Sequence, residues 1–532
     1  MSATSVHGLV EAPLVPSRPV RWAKVIDHTR CIGCHACTTA CKSENEVPLS
    51  VTRTYVKSVD VGIFPQARRV FQVTRCNQCD DAPCATACPT TAMYRRRDGI
   101  VDFDKAVCIG CKACIAACPY DAIFINPDDH SAEKCNFCAH RIDMGLEPAC
   151  VVVCPTEAIL VGDLSDPASR VAQIVHREPV TVRRPEKETR PKLFYKGAHE
   201  ATLDPIAARR PPGGLFMWSE QGRASHQVTS GHPDGWSTSS AAALLSYDVA
   251  HQAPWGWQVS LYTWTKGIAA GAYLVPLLLI LGGWLSWTSV LWFWSAPVLA
   301  AVFLAATAAL LIADLEHPER FYLILTRPQH SSWLVKGAFI IAGYALVLAG
   351  HVAAAFLGGS EVQAALAVGG LPLAVLTAVY TAYLFAQAKA RDLWQNPLLP
   401  PHFLVQAVLA GAAALVPLAV RFEPGVVRPL LWMLGGATLL HLLFAWGETT
   451  LTPSTAHVRL AVHEMTNGRY RVFFWSGITL STLALLACGL GVESVFPSQD
   501  TWVALAAGPL ALAGLLAYEH TYVQAGQAVP LA

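Results

Sequence analysis

The sequence predicts two unlike parts: an α+β amino-terminal part and, after it, an all-α bundle of eight membrane-spanning helices. Three observations carry this. Of the 17 cysteines, all but Cys488 precede residue 155, gathered in four groups of four. A tail of the form Pro-x-x-Ala-Met/Ile follows three of those groups, which marks an internal repeat. Long apolar runs lie almost wholly after residue 255. They bring hydrophobic residues to 53% of the chain and mean hydropathy to +0.37, high for a soluble protein. At 532 residues the chain has room for several domains, and a formal net charge of +1 offers nothing that would draw nucleic acid.

Residues 1–21 read as an extension. They hold no apolar core of signal-peptide length, and Arg18 and Arg21 are separated by Pro19-Val20, so no export signal is expected there. Residues 22–165 hold the cysteines. The third group is Cys108-Ile109-Gly110-Cys111-Lys112-Ala113-Cys114, then Cys118-Pro119. This C-x-x-C-x-x-C-x-x-x-C-P run has the spacing of bacterial iron–sulfur proteins, in which the fourth cysteine ligates a neighbouring cluster. The first group is Cys31, Cys34, Cys37 and Cys41, closed by Lys42 in place of proline. The second is Cys76, Cys79, Cys84 and Cys88-Pro89. The fourth is Cys135, Cys138, Cys150 and Cys154-Pro155, with eleven residues in its middle gap. A disulfide scaffold would be short and would lack such repeated runs, and a zinc knuckle needs no fourth cysteine followed by proline. Sixteen thiolates, four to a cluster, make four [4Fe–4S] clusters with none left over.

On these motifs, residues 22 to about 200 resemble the four-cluster ferredoxin subunits of the molybdopterin oxidoreductases, among them those of dimethyl sulfoxide reductase, polysulfide reductase and formate dehydrogenase. The resemblance implies a double ferredoxin-like fold and an exchange of fourth ligands. One cluster would then take Cys31, Cys34, Cys37 and Cys154, and its partner Cys41, Cys135, Cys138 and Cys150. A third would take Cys76, Cys79, Cys84 and Cys118, and the fourth Cys88, Cys108, Cys111 and Cys114. Residues 166–255 are rich in Arg, Pro, Gly, Ser and His and read as a tether. Within it, Pro191–Gly197 resembles the tail that such subunits lay against a partner, and Gly213–Ser246 is expected to run over the surface toward the membrane.

Residues 256–532 hold eight apolar segments at roughly 259–285, 290–313, 333–357, 364–388, 402–420, 426–446, 472–491 and 501–520. Each approaches the ~20 helical residues that cross a hydrocarbon core. Loops on the cysteine side carry Arg320, Arg327, Lys336, Lys389, Arg391, Arg459, Arg469 and Arg471, whereas the opposite loops carry Arg421 and Arg428. The positive-inside bias puts the cluster domain on the cytoplasmic side of a cell inner membrane. Three stretches, Thr265–Tyr273, Asp314–Phe321 and Ser332–Gly337, resemble the polysulfide-reductase membrane subunits called NrfD-like. That family exchanges electrons with a quinone, menaquinone or ubiquinone, near the face next to its ferredoxin subunit. Ionisable residues at membrane depth need a reason. Lys266, Asp314, His317, Arg320, His441, Glu448 and, just before the first helix, His251 are the candidates for that site. Snorkelling or helix-end charge is the plainer reading of Lys266 and weighs equally.

No nucleophile, substrate pocket or molybdopterin motif is evident. The expectation is an electron-transfer, quinone-binding membrane subunit, in contact with lipid, whose substrate chemistry sits in a partner chain. A Mo/W-bis-pterin enzyme, with formate dehydrogenase first, is the expected partner by analogy, then a sulfur-compound oxidoreductase or a hydrogenase. An ion-translocating or anchoring module without quinone chemistry is the alternative.

Overall fold

The computed structural model describes residues 20–63, 65–209, 243–251, 253–494 and 501–531. The extension at 1–19 and most of the surface run expected at 213–246 lie outside the described residues.

Eleven strands are described in the amino-terminal part: β1 (Trp22–Asp27), β2 (Thr54–Val61), β3 (Arg68–Arg75), β4 (Met93–Arg95), β5 (Val101–Phe103), β6 (Ile123–Ile125), β7 (Ala132–Lys134), β8 (Ile159–Asp163), β9 (Val180–Thr181), β10 (Leu193–Lys196) and β11 (Ala243–Tyr247). They form a four-stranded sheet in the order β8-β1-β10-β9, a three-stranded sheet β11-β2-β3, and two ribbons, β4-β5 and β6-β7. The three Pro-x-x-Ala-Met/Ile tails end in β4, β6 and β8, so the repeat in sequence is a repeat in structure. β10 runs parallel to β1, with Lys24 opposite Leu193. The sheet therefore continues past residue 165, and the first part of the expected tether belongs to the cysteine domain. The far end of the tether, β11, pairs with β2.

Short helices follow the cysteine loops at Ala36–Glu44, Pro83–Ala87, Ala113–Ala117 and Ala149–Val152. The first and third open on left-handed residues of matching conformation, His35 and Lys112 at φ 60°, ψ 4°. Two of them end where proline demands it. A residue before proline is pushed out of the α region, and Cys88 (φ −66°, ψ 120°) and Cys118 (φ −78°, ψ 111°) are extended. In these two groups the chain thus leaves the helix at the fourth cysteine.

Eight helices among the described residues are long and apolar enough to cross a membrane: Trp257–Leu281, Leu291–Ala313, Trp333–Phe356, Ser360–Gln387, Leu399–Phe422, Pro424–Thr450, Arg471–Val492 and Trp502–Ala528. They are called the first to eighth membrane helices below. The eighth runs past its expected end at 520. Its last turns carry Tyr518, Glu519 and Thr521, which break the hydropathy, but they are buried against the bundle. The first helix is buried on almost every face and forms the axis. It meets the fifth backbone to backbone: a Cβ on Gly271 would sit 1.8 Å from the Ala407 carbonyl oxygen, and one on Gly411 would sit 2.0 Å from the Gly271 carbonyl carbon. Small residues at such crossings let helices approach without a hydrophobic drive.

The two parts meet through polar contacts. His317 N–H donates to the Ile109 carbonyl (3.2 Å) and Gln329 N–H to that of Pro89 (2.9 Å). Arg320 donates to the Lys105 and Cys108 carbonyls, each at 3.0 Å, and Ser332 to that of Ala87 (2.8 Å). A Cβ on Gly110 (φ +68°) would lie 2.3 Å from Glu316 Cβ, so this glycine is needed for close approach as well as for its turn.

Gly271→Ala should force the first and fifth helices apart and cost about 3 kcal/mol or more, seen as a lower melting temperature in detergent. Gly436→Ala, whose Cβ would meet nothing within 4 Å, is the matched control and should melt as the unaltered protein does.

Candidate functional site

The sixteen cysteines of the amino-terminal part come together in four sets. Cys31, Cys34, Cys37 and Cys154 line one small pocket. Cys88, Cys108, Cys111 and Cys114 line another. Cys41 is grouped with Cys135, Cys138 and Cys150, and Cys118 with Cys76, Cys79 and Cys84. The fourth cysteine of every group lies with a neighbouring set. Cross-set neighbours then give an order. Cys37 is near Cys150, Cys76 near Cys135, and Cys114 near Cys84. The sets follow one another from the Cys31 end to the Cys111 end, and Cys111 lies within electrostatic reach of Asp314 in the membrane part.

The donor set fits an iron–sulfur cluster better than a bare ion. Among the described residues, no three His, Cys, Asp or Glu side chains converge as a single-ion site, whereas zinc needs ligands ~2.0–2.3 Å from one point. Thiols spread around a cavity wall suit a cluster bonded at its corners. Backbone amides point at the sulfurs: Gln78 N to Cys76 Sγ, Met93 N to Cys88 Sγ and Ala132 N to Cys108 Sγ at 3.4 Å, and Ala158 N to Cys154 Sγ at 3.2 Å. Burial pushes the Cys41, Cys79 and Cys118 thiols up to about 12, so ionising them needs a compensating charge such as a metal supplies. Cys150 is the exception. Burial raises it too, but buried Arg75 (Nη1–Sγ 3.0 Å) and Lys24 (Nζ–Sγ 3.8 Å) bring it down to about 7.

The seven residues proposed for the membrane site separate into groups. His317 and Arg320 hold the Lys105–Cys111 loop, and His317 Nε2 also meets the Asp129 carbonyl at 2.9 Å. Asp314 and Glu316 pair with Lys112, beside Cys111, at 3.9 and 3.0 Å. Burial, partly offset by Lys112, lifts Asp314 to about 6. His251 sits on the cysteine domain between Asp121 and Asp248.

Lys266, His441 and Glu448 lie inside the bundle, in a polar region that sequence reasoning saw only in part. A small buried pocket is lined by His402, Gln406, Tyr518, Glu519 and Thr263 together with Phe385 and Phe403. Glu519 accepts from Thr263 (3.0 Å) and lies close enough to Lys266 to interact electrostatically. Lys266 donates to the Ala378 carbonyl (2.7 Å) and Thr381 (3.0 Å) and rests 4.5 Å from the Phe403 ring centre. His402 bonds Glu448 through Nδ1 (3.1 Å) and His441 through Nε2 (2.9 Å), and Tyr518 donates to Glu448. Glu448 also accepts from Asn396 (3.2 Å), which is half-buried between the fourth and fifth helices. A glutamate in the last apolar segment was the signal for Glu519, since no such charge is free at that depth.

An aromatic stack links the two parts. Trp255 Nε1 donates to the Cys111 carbonyl (3.3 Å). Its ring stacks with Phe385 (5.9 Å) and Trp394 (5.4 Å), which stack on each other at 4.7 Å, and Phe385 is a wall of the cavity.

Comparison with known proteins agrees with both parts. Residues 246–531 match the family described as polysulphide reductase, NrfD, and residues 67–164 match a 4Fe-4S dicluster domain. The B component of the tetrathionate reductase of Salmonella typhimurium is 42% identical over 204 residues, covering 38% of this chain and 80% of that protein. The B component of the polysulfide reductase of Wolinella succinogenes is 42% identical over 177 residues, covering 33% and 93%. The iron-sulfur subunit ArrB of the arsenate respiratory reductase of a Shewanella species is 34% identical over 224 residues, covering 33% and 96%.

One prediction concerns the domain surface. Burial alone would push His251 down, but Asp121 and Asp248 raise it to about 9. A raised pKa stabilises the fold fully below the unfolded value of ~6.5 and loses that effect as pH climbs through the folded value. His251→Gln should therefore lower the melting temperature at pH 6 and leave it nearly unchanged at pH 10; equal losses at both would count against the ion pairs.

Proposed function

Because the protein belongs to the polysulphide reductase NrfD family and carries a 4Fe-4S domain on the same polypeptide, we propose that it passes electrons between a partner catalytic subunit and a membrane quinone. Four [4Fe–4S] clusters on the four thiol sets would supply one-electron relays. The observation that carries the quinone reading is the contact of Trp255 with the Cys111 carbonyl at one end and with Phe385, a wall of the polar cavity, at the other. A quinone headgroup in or at that cavity would meet an aromatic wall and buried acid–base groups, which a carrier exchanging electrons and protons needs.

The protein's own residues divide the work. Lys266 and Glu519, fixed by Ala378, Thr381 and Thr263, would hold or exchange the substrate's protons. His402 meets Glu448 at Nδ1 and His441 at Nε2, and so connects the cavity to Glu448 and Asn396 at the cysteine-domain face. Asp314, His317, Arg320 and Trp255 would fix the last thiol set against the membrane.

The finer reading takes a molybdopterin enzyme as partner. The three relatives named above carry the names of tetrathionate, polysulfide and arsenate reductases. These names favour a reductase of a sulfur or arsenic compound ahead of formate dehydrogenase. A cytoplasmic cluster domain at the inner membrane keeps its support from the charge bias. Arg320 and Arg391 are spoken for by carbonyls of Cys108, Gln527 and Val529, but Arg327, Lys336, Lys389, Arg459, Arg469 and Arg471 still outnumber Arg421 and Arg428.

Quinol added to anaerobic protein should reduce the clusters, read by EPR. Glu519→Gln should slow that reduction by ~10²-fold while leaving reduction by dithionite unchanged. Trp255→Ala should also slow the quinol step without loss of iron. Clusters that answer dithionite but never quinol would overturn the quinone assignment.

A further inference from the structure

The four thiol sets differ in one respect that their cysteines do not explain. Two cations stand at Cys150, in the set of Cys41, Cys135, Cys138 and Cys150, which is second from the Cys31 end. Arg75 is the last residue of β3, and Lys24 lies in β1, the strand between β8 and β10. Both are 2% exposed. Arg75 Nη1 lies 3.0 Å from Cys150 Sγ and Lys24 Nζ lies 3.8 Å from it. Lys24 also rests 4.1 Å from the ring centre of Phe137, in the loop between Cys135 and Cys138. Arg75 precedes Cys76, a ligand of the third set, yet its guanidinium lies within electrostatic reach of Cys150, Cys37 and Cys135. It therefore sits where the first set meets the second.

Other buried cations of this domain are neutralised by carboxylates: Arg53 pairs with Glu133, and Lys192 with Asp80. Among the described residues Arg75 and Lys24 form no such pair, and no ligand sulfur outside the second set has an ammonium or guanidinium at hydrogen-bond distance. The first, third and fourth sets receive the backbone amides of Ala158, Gln78, Met93 and Ala132. An uncompensated buried cation is costly. Four thiolates around a cluster supply the missing counter-charge, and each electron added makes it more negative by one. A fixed cation beside the sulfur favours that more negative state through an attraction that burial leaves weakly screened. Hydrogen bonds from charged donors are also about twice as strong as those from neutral amides, and arginine keeps its charge at any working pH.

We infer that Arg75 and Lys24 are positioning residues that raise the reduction potential at the second thiol set, so that an electron is held there between the Cys31 end and the membrane end. This rests on the four-cluster reading given above and needs neither the quinone nor the catalytic partner.

The test is an anaerobic redox titration of the full chain with its clusters. Dithionite donates the electrons, ferricyanide removes them, EPR reads each signal, and iron is measured on the same samples. Cys138→Ser changes a ligand of the second set alone and so marks the signal that belongs there. Arg75→Gln should make reduction at that signal about tenfold less favourable, a fall of about 59 mV for one electron. The Cys31 set should fall less, and the two sets nearer the membrane should stay where they were. Arg75→Lys keeps the charge and should recover most of the fall. Lys24→Met should lower the same signal by less than Arg75→Gln does, since Nζ stands farther from sulfur. An unmoved midpoint in iron-replete Arg75→Gln, equal falls at all four signals, or an Arg75→Lys midpoint as low as that of the Gln variant would overturn the inference and leave the four-cluster reading standing. Should Arg75→Gln lose iron, Lys24→Met decides: full iron with an unmoved midpoint overturns the inference. Loss of iron in both variants also overturns it, because the cations would then serve assembly of the site. Four clusters hold sixteen irons, and markedly fewer in the unaltered protein would sink the four-cluster reading and the inference with it.

Discussion

The structure depends on where the cysteine loops send their carbonyl oxygens. Met93, Ala132 and Ala158 aim amides at sulfur from the strands beside the loops or the residue before one, and Gln78 does so from within a loop that curls inward. Its carbonyls are then left facing outward, where each must find a donor or pay for burial. The membrane part supplies those donors. Arg320 takes Lys105 and Cys108, His317 takes Ile109, Trp255 takes Cys111, Ser331 takes Thr86, Ser332 takes Ala87 and Gln329 takes Pro89. The same inward curl that would tune a cluster therefore also builds the docking face, and only the loops nearest the membrane are used for it.

Inside the bundle the opposite pressure applies. Apolar surroundings penalise every polar atom, so the surviving ones mark function. The close crossing at Gly271 and Gly411 brings the first helix into the centre, where its Thr263 and Lys266 meet groups from the fourth and eighth helices. Without that approach, Lys266 would lie near lipid and could only snorkel. Seven residues further along, the same helix presents Tyr273 to His351. One buried helix thus carries two polar side chains about 10 Å apart along its axis.

Much of this was legible in the sequence. Cysteine count and spacing are local properties, and a hydrocarbon thickness translates directly into segment length, so four thiol groups and eight helices could be read from residues alone. Cysteine pairing could not, because the crossing of Cys118 and Cys154 to neighbouring sets is a tertiary fact; Cys-Pro hints at it only by ending a helix. His317 and Arg320 stood beside Asp314 in one motif, but a motif does not say whether its side chains face a ligand or a neighbouring loop, and here they hold carbonyls. His402 escaped notice because it stands in the first turn of its helix, where a histidine is ordinary. Its weight comes from Glu448 and His441, more than 35 residues away in sequence.

Placing both parts on one chain matters physically. Hydrogen bonds of the docking face contribute a net ~0.5–1.5 kcal/mol each, and two free proteins would give up ~4–15 kcal/mol of translational and rotational freedom on meeting. Those hydrogen bonds alone would go largely to offset that loss if the two parts were separate chains. On a single chain that loss is already covered by the peptide bond, and the other end is tied too: Arg183 of the cysteine domain donates to the Leu531 carbonyl at 2.8 Å, and Arg391 to those of Gln527 and Val529. The interface is then free to be chosen for the alignment of Cys111, Trp255 and Phe385, an order of contacts that a greasy, self-sufficient interface would have little reason to preserve.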